Sequence, residues 1–320
     1  MLYRCLPLII ALTIGISTSA QEIDNTTSYK NINSDKYIRL SIDNDYFSGR
    51  DQQYTEGANM ELCLPGLKYF PLTKLLVSPK YSYSRYGIGI EQAGYTPRKI
   101  NNPEIQTTDR PYAATLYLKT FRMAVDTINK QTFTTVLSTG IIGTDALGSE
   151  IQEQVHRVLK NQKPVGWKYQ VHDDVILNYQ VNYEKQLISF RKYFSFTADG
   201  SARVGTFSDK AGVGVTALVG YFDNPFGAVR PSKKFHRYMY DRPAVDIIGY
   251  DATLEGGMFN HDNPYTIPAS QLNRVIFVNR VGWVLAVRRI TLEYFQTYTS
   301  RQFTTGPRNK WGGIQFAMNL

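Results

Sequence analysis

The chain has 320 residues, and its 36 Lys and Arg outnumber its 27 Asp and Glu to give a formal net charge of +9. This length allows one large or two ordinary domains. The positive charge favours an anionic partner, such as nucleic acid, a phosphorylated substrate or a membrane surface. The chain has 23 Tyr, a residue enriched in β-strands and at membrane–water interfaces. No apolar run after residue 20 approaches the roughly 18 residues of a spanning helix, which excludes a helical membrane protein.

Residues 1–20 have the pattern of a secretory signal peptide. Arg4 supplies a positive charge, residues 6–16 are largely apolar, and residues 18–20 are small, as a cleavage site requires. We therefore predict export of a mature chain, residues 21–320, which the strand pattern described below assigns to a single outer-membrane β-barrel domain. A soluble exported fold and an outer-membrane β-barrel are both compatible with this pattern.

Apolar and polar residues alternate along most of the mature chain, which is typical of β-strands with one apolar face. Many of the segments run about ten residues, the length of a tilted strand that crosses a bilayer. A soluble sandwich would bury large apolar residues on its inner face, where this chain has Asn, Gln, Lys and Glu. The predicted strands are 37–44, 54–63, 84–94, 112–123, 131–142, 172–187, 192–204, 211–220, 244–257, 272–287, 289–299 and 311–320.

These twelve segments predict an all-β fold, a twelve-stranded antiparallel transmembrane β-barrel with a short helix in an extracellular loop. The alternation continues to Leu320, so the last strand is expected to close the barrel onto the first. Two inward connections, 64–83 and 221–243, are longer than periplasmic turns usually are. The outward connections are 45–53, 95–111, 143–171, 205–210, 258–271 and 300–310.

One outward connection contains a predicted helix over residues 150–160. Ser149 and Gln152 match a capping box at its start. We expect its apolar stripe to pack against the barrel wall. The residues of this stripe are Ile151, Val155, Val158 and Leu159.

Several residues in the outward connections could carry chemistry. His156, on the predicted helix, could act as a general base near neutral pH, although an ordinary surface histidine is the alternative. The first connection brings Asn44, Asp45 and Thr55 close in sequence. Their oxygens suit a hard cation such as Ca²⁺, although a hydrophilic turn uses the same residue types.

The second outward connection is basic. Arg98, Lys99 and Arg110 are suited to phosphate groups near a membrane surface, although a solvated loop that attracts lipid nonspecifically is the alternative. All of these candidates fall on one rim of the predicted barrel. A cation, a histidine and basic groups at one rim are the components of a hydrolytic site for an anionic lipid.

These segments together resemble the outer-membrane lipid A 3′-O-deacylases. The resemblance rests on residues 44–47, 54–57, 109–113 and 143–170. It implies a calcium-dependent β-barrel enzyme in the bacterial outer membrane, with its active site facing the outer leaflet. The implied reaction is hydrolysis of the ester-linked acyloxyacyl group at the 3′ position of lipid A.

The resemblance also implies roles for particular residues. His156 matches the general base that acts through water. Asn44, Asp45 and Thr55 match its polar neighbours in the site. Asn44 and Asp45 are the implied ligands of a calcium ion that stabilises the oxyanion. Arg98 and Lys99 fall near basic residues that meet the lipid A phosphates, and this loop match is loose.

One position departs from the family pattern. Where a characterised member has Glu six residues after the histidine, this chain has Gln162. A neutral amide in this catalytic position still forms hydrogen bonds but adds no negative charge. Either calcium binds more weakly, or another carboxylate such as Asp43 or Asp51 contributes.

The expected partners are lipid A or lipopolysaccharide as substrate and the surrounding outer-membrane lipid, with the protein as a monomer. A nucleic-acid partner is disfavoured because the basic residues are dispersed along the chain. Two alternatives without catalysis stay open. One is a channel whose polar lumen passes solutes, and the other is an adhesive barrel whose loops bind lipopolysaccharide without turnover.

Overall fold

The computed structural model describes residues 23–45, 53–81, 83–229 and 235–320. The predicted signal peptide lies outside these ranges, and cleavage after residue 20 stays a prediction. The described helices are α1 Gly148–Leu159 and α2 Ala252–Glu255. The described strands are β1 Tyr37–Asn44, β2 Gln53–Cys63, β3 Tyr83–Thr96, β4 Ala113–Asp126, β5 Gln131–Ile142, β6 Asp174–Phe190, β7 Phe194–Gly205, β8 Ser208–Tyr221, β9 Phe235–Asp251, β10 Val275–Val287, β11 Ile290–Thr299 and β12 Asn309–Asn319.

These twelve described strands form a closed antiparallel barrel in which each strand pairs with its neighbour in sequence. The last strand closes onto the first, with Tyr37 opposite Asn319 and Asn44 opposite Gly312. Closure removes the unpaired edge that an open sheet would expose. The predicted fold class is therefore confirmed. No described helix has the length and apolar character needed to cross a membrane.

The two faces of the barrel wall differ in chemistry. On β1, Arg39 and Asp43 point inward and are buried, whereas Leu40 and Ile42 point outward and are exposed. Met60 of β2, which is paired with Leu40, is also exposed. This apolar outer surface is the lipid-facing belt expected of a transmembrane barrel.

Charged and hydroxyl groups inside the barrel pair with one another. Glu91 accepts hydrogen bonds from Lys119 Nζ at 2.5 Å and from Tyr117 OH at 2.7 Å. Elsewhere in the lumen, Arg242 donates to Asp199 at 2.5 Å. Part of the Tyr excess is therefore used inside the barrel, in addition to the membrane interfaces that the composition suggests.

Residues 23–34, here called the N-terminal plug, run through the lumen before β1 begins. The backbone N–H of Ile23 donates to a carboxylate of β3 at 3.1 Å, and that of Ser28 donates to a carboxylate of β6 at 2.9 Å. The ring of Tyr29 packs at a tilt of 40° against a tyrosine of β9, with the ring centroids 4.3 Å apart. These strands lie on different sides of the barrel, so the plug crosses the lumen and joins its walls.

The ninth strand begins and ends earlier than predicted. The sequence predicts it over 244–257, whereas the first part of β9 precedes this segment and its end is replaced by α2. Pro243 lies within β9 and interrupts the pattern, because proline is unfavourable in a central strand. Asp251 ends the strand and caps α2, since its side chain accepts a hydrogen bond from Thr253 N at 2.9 Å.

Secondary structure takes up part of the two long inward connections. The connection at 64–83 contains two 3₁₀ turns, Pro65–Tyr69 and Pro71–Leu75, and each opens on a proline. The connection predicted at 221–243 is shortened by the early start of β9.

Candidate functional site

The helix α1 lies against the outer face of the barrel wall, where it packs on β3 and β4. A Cβ atom on Gly148 would lie only 2.5 Å from Cβ of Ala114 in β4, so a larger residue here would push the helix off the wall. Ala114 faces outward because Tyr117, three residues later, points into the lumen. The helix is therefore beside the wall and not inside the barrel.

The start of α1 differs from the predicted capping box. Leu147 is the N-cap in a left-handed conformation with φ of 61°, and no side chain caps the helix. Ser149 lies within the first turn. Gln152 instead accepts a hydrogen bond from Trp167 Nε1 at 2.6 Å, which fastens α1 to the segment that follows it.

The face that α1 turns to the wall is polar, which contradicts the prediction. Gln152 is 0% and His156 is 5% exposed, whereas Val155 and Val158 are 37% and 81% exposed. The side chain of Leu159 lies outside the described set. The prediction failed because it assumed water around the helix, whereas the outside of a membrane barrel is bounded by lipid.

His156 is held in one orientation by the chain that follows α1. Its Nδ1 lies 2.6 Å from the backbone oxygen of Gln162. Because a carbonyl oxygen can only accept, Nδ1 is the donor and Nε2 of the neutral ring carries the lone pair. Lys160, with φ of 53° at the end of α1, reverses the chain and brings this carbonyl back to the ring. Gln162 thus acts through its main chain, and its side chain is exposed.

The other predicted site residues lie at the outer ends of β1 and β2. Asn44 lies two residues after Ile42 on β1, so its side chain points outward as that of Ile42 does. The next residue, Asp45, is buried. Thr55 is the extra residue of a β-bulge opposite β3. Its Oγ1 lies 2.6 Å from Oγ1 of Thr96. The bulge turns Thr55 out of the regular alternation.

By sequence, Asp43 and Asp51 are the carboxylates that could replace the charge missing at Gln162. Asp43 accepts a hydrogen bond from Tyr54 OH at 2.8 Å inside the barrel, so it lies on the opposite side of the wall from α1. Asp51 lies outside the described residues.

Strand register relates these wall residues to the helix. Ala114 pairs with Gly94, and Gly94 pairs with Glu56. Asn44 lies beside Glu56, one residue beyond the last pair of β1 with β2. At about 4.8 Å per strand, Glu56 is about 10 Å from Ala114 across the wall. His156 is eight residues, or about 12 Å, along α1 from the contact at Ala114.

A helix that begins over β4 and packs across β3 extends towards β2 and β1. The register and the helix length therefore direct His156 towards the patch of the outer surface at the outer ends of β1 and β2, where Asn44 and Thr55 lie and Asp45 follows Asn44. We call this patch the outer-wall site.

The basic loop after β3 is anchored next to this region. Arg98 Nε donates to Asp109 at 2.8 Å, and Gln53 of β2 donates to the same carboxylate at 2.5 Å. The backbone of Ile100 accepts from Val165 N at 2.9 Å, which joins the loop to the segment after α1. The loop surrounds an open cleft of about 720 Å³ that includes Arg98 and the exposed Lys99.

Arg110 has a different setting from the two basic residues of the cleft. It is buried, and its guanidinium lies 4.5 Å from the ring centroid of Tyr95 and donates to Thr253 Oγ1 at 3.0 Å. Burial lowers the pKa of Arg110, while Asp251 and Tyr95 act in the opposite direction. Arg110 therefore ties loops together at the barrel mouth, and its predicted role in binding phosphate stays a prediction.

Comparison with known proteins decides the family. The sequence model for the family described as outer membrane protein LpxR matches residues 6–320. The chain belongs to this family. The protein is accordingly located in the bacterial outer membrane. No curated protein matches the chain in sequence.

Solved structures show the same fold. LpxR from Salmonella typhimurium gives a TM-score of 0.71 at 18% identity, and the match covers 89% of this chain and 100% of that one. The β-domain of the Bordetella autotransporter BrkA gives a TM-score of 0.47 at 8% identity, with 90% and 100% covered. The first of these supports the barrel architecture of this LpxR-family chain.

Sequence reasoning did not single out two polar residues that this LpxR-family protein places at the outer-wall site. Glu56 and Gln92 are 9% and 8% exposed. Each lies an even number of residues from an outward-facing apolar residue of its own strand, Met60 on β2 and Ile90 on β3, so both side chains also point outward. The sequence signal that identifies such residues is a polar side chain at a strand position where the alternation predicts an apolar one.

The donor set at the outer-wall site suits a hard cation. Across the described ranges, no three His, Cys, Asp or Glu side chains gather into a group that could hold a metal by themselves. A cation here would therefore need neutral oxygens as well. Asn44, Asp45 and Thr55 offer amide, carboxylate and hydroxyl oxygens, which Ca²⁺ accepts.

Proposed function

We propose that the protein is a lipid A deacylase that hydrolyses the ester-linked acyloxyacyl group at the 3′ position of lipid A. The observation that carries this proposal is His156, buried against the outer wall with Nδ1 bonded to the carbonyl of Gln162. A histidine fixed in this way carries its lone pair on Nε2, the nitrogen that would act as the base towards a lipid beside the barrel. Membership of the LpxR family supports the same conclusion.

In the proposed reaction, His156 Nε2 takes a proton from a water molecule as the water oxygen attacks the ester carbonyl. The tetrahedral intermediate then collapses, and the protonated ring gives its proton to the leaving sugar oxygen. The products are an acyloxyacyl carboxylic acid and an under-acylated lipid A. General base catalysis of this kind contributes roughly 10²- to 10⁴-fold to the rate.

The neighbouring polar residues would hold the cation and the polar part of the substrate. Asn44 and Asp45 are the proposed calcium ligands, with Thr55 beside them. Bound Ca²⁺ supplies positive charge that stabilises the developing oxyanion.

The surroundings of the site suit a phosphorylated lipid. Val155 and Val158 of α1 are exposed apolar residues, which would give acyl chains an apolar surface beside His156. The cleft lined by Arg98 and Lys99 offers cationic groups for the phosphates. The active site would accordingly face the outer leaflet.

The N-terminal plug argues against the channel alternative. It crosses the lumen and bonds to several strands, so solutes would have to displace it. An adhesive barrel would bind lipopolysaccharide without hydrolysing it, so only an activity assay distinguishes it from an enzyme.

The test is a deacylation assay on purified protein in detergent with lipid A as substrate. Mass spectrometry follows the released acid with calcium and with a chelator. We expect wild type to release it only with calcium and His156→Ala to be slower by about 10²- to 10⁴-fold. The matched control is His261→Ala, because His261 is exposed in another outward connection. Equal rates for wild type and His156→Ala would refute the proposal.

A further inference from the structure

We propose that residues 64–81, here called the outer strap, bind an anionic phospholipid of the inner, periplasmic leaflet. The outer strap connects the inner ends of β2 and β3, and it contains the two 3₁₀ turns Pro65–Tyr69 and Pro71–Leu75. The proposal gives the barrel a second lipid-binding surface, and it does not depend on the deacylase function.

The outer strap lies on the lipid-facing side of the barrel wall. Tyr179 of β6 points outward, because Asn182, three residues later, points into the lumen and donates to Thr26 of the N-terminal plug at 3.3 Å. Tyr179 OH donates to the main-chain oxygen of Leu75 at 3.1 Å and accepts from the main-chain N–H of Val77 at 2.8 Å. The outer strap therefore leaves the end of β2 and is fastened to the outside of a strand four places further round the barrel.

The wall beneath the outer strap is shielded from lipid. Tyr179 pairs with Leu137 of β5, and Leu137 pairs with Thr120 of β4, so these side chains form a row across the outer face. The second 3₁₀ turn packs on β4, and Leu137 and Thr120 are 7% and 0% exposed. Leu177, two residues nearer the outer end of β6, is 51% exposed. The outer strap thus takes the place of lipid over the inner part of these strands.

Contacts within the outer strap fix its shape. Thr73 is 6% exposed, and its Oγ1 donates to the main-chain oxygen of Leu67 at 3.0 Å, which joins the two turns. Leu76 is 3% exposed. A surface that is already ordered loses little conformational freedom when a ligand binds to it.

The outer strap presents apolar side chains to the bilayer. Tyr69, Leu75 and Val77 are 74%, 59% and 60% exposed. Leu75 and Val77 are the residues whose main chains bond to the outward-facing Tyr179. These two side chains are therefore suited to contact the acyl chains of a lipid beside the wall.

The charges of the outer strap all have one sign. Residues 64–81 contain Lys68, Lys74 and Lys80 but no Asp or Glu, and all three lysines are exposed. Lys68 Nζ lies 4.6 Å from the ring centroid of Tyr69, and tyrosine is typical of membrane–water interfaces. Basic and apolar side chains on one interfacial segment favour anionic over neutral lipid. The proposed lipid A substrate lies at the outer end of the wall, so the occupant is an inner-leaflet phospholipid.

Native mass spectrometry of the purified protein in a neutral detergent tests the proposal. It measures the Kd for phosphatidylglycerol, with phosphatidylethanolamine of the same acyl chains as the uncharged comparison. We expect wild type to bind phosphatidylglycerol about tenfold or more tightly. Combining Lys68→Gln, Lys74→Gln and Lys80→Gln should raise the Kd for phosphatidylglycerol by about tenfold or more and leave that for phosphatidylethanolamine unchanged.

The matched control combines Lys160→Gln, Lys163→Gln and Lys168→Gln. These lysines are exposed in the outward connection that contains the end of α1, so the control removes the same charge from the opposite end of the barrel. Its Kd for phosphatidylglycerol should equal that of wild type. Equal increases in the two triple variants would show that binding follows net charge alone, which overturns the proposal.

Thermal unfolding checks that each variant keeps its fold, and arginine at the three positions of the outer strap should keep the wild-type Kd. If the glutamine variant fails to fold, salt carries the test in the wild type. The Kd for phosphatidylglycerol should rise several-fold between about 0.1 M and 1 M ammonium acetate, because the Debye length falls from about 10 Å to about 3 Å. Equal affinity of wild type for the two lipids, or no response to salt, overturns the proposal.

Discussion

The lumen and the outer-wall site both bury polar side chains, but they treat them differently. In the lumen, Glu91 accepts hydrogen bonds from Lys119, Tyr117 and the N-terminal plug. At the outer wall, His156 is paired with a neutral carbonyl, and Nε2 of Gln152 has no hydrogen-bond partner among the described residues. Charges that pair with each other make a rigid scaffold, whereas a histidine that is oriented by a neutral main-chain oxygen keeps no charged partner of its own in that bond.

The largest expected effect is on the stability of the lumen. Glu91→Gln removes the negative charge beside Lys119, which is buried. Breaking one side of a buried ion pair costs about 3–5 kcal/mol, so we expect the free energy of unfolding in urea to fall by about that amount. Activity per folded molecule should not change, because Glu91 faces away from α1.

The Glu91→Gln variant also tests whether the lumen and the outer-wall site have separate roles. A Glu91→Gln protein with normal stability and no deacylase activity would show that the lumen takes part in catalysis. The proposed division into a scaffold inside and a reaction outside would then be wrong.

A smaller effect is expected where α1 is fastened to the chain. Trp167→Phe keeps a ring beside Tyr112, 5.1 Å away between centroids, but removes the bond to Gln152. Leaving the buried amide without its donor costs about 1–3 kcal/mol, so we expect the attachment of α1 to loosen and kcat/KM to fall several-fold. Enzyme kinetics at fixed calcium measure this.

Trp283→Phe is the control for this variant. Trp283 lies on the outward face of β10 and is exposed, so its replacement should leave kcat/KM unchanged. Equal losses for the two tryptophan variants would mean that the bond to Gln152 does not position the helix.

The smallest effect is expected on the lipid side of α1. Val158→Ser removes an apolar side chain that is 81% exposed, so we expect the KM for lipid A to rise about two- to fivefold by the loss of apolar contact. The kcat and the unfolding midpoint should stay as in wild type. Ile128→Ser is the control, because Ile128 is 83% exposed in the β4–β5 turn at the other end of the barrel. A similar rise in KM for both would contradict a lipid path along α1.

The strands could be predicted because one face of the barrel wall meets lipid and the other meets the polar lumen, so apolar and polar residues alternate along each strand. The predicted strands at 37–44 and 131–142 coincide with β1 and β5, since both alternate without interruption. The start of β9 could not be predicted, because Pro243 and a run of charged residues hide an alternation that faces the lumen.

The candidate site was harder to predict than the fold. Its residues could be placed on one rim by counting strands, but the orientation of α1 depends on which solvent surrounds it. The sequence also draws attention to the side chain of Gln162, whereas His156 is held by the main-chain oxygen of that residue. Glu56 escaped notice because only the register shows that it lies beside Asn44.

The central claim is that the outer wall of the barrel deacylates lipid A through His156. Mass spectrometry of lipid A from cells that express the wild type, His156→Ala or His261→Ala tests it most directly. We predict loss of the 3′ acyloxyacyl mass with the wild type and His261→Ala, and intact lipid A with His156→Ala at equal levels of folded protein. Intact lipid A with the wild type, or its deacylation by His156→Ala, would contradict the claim.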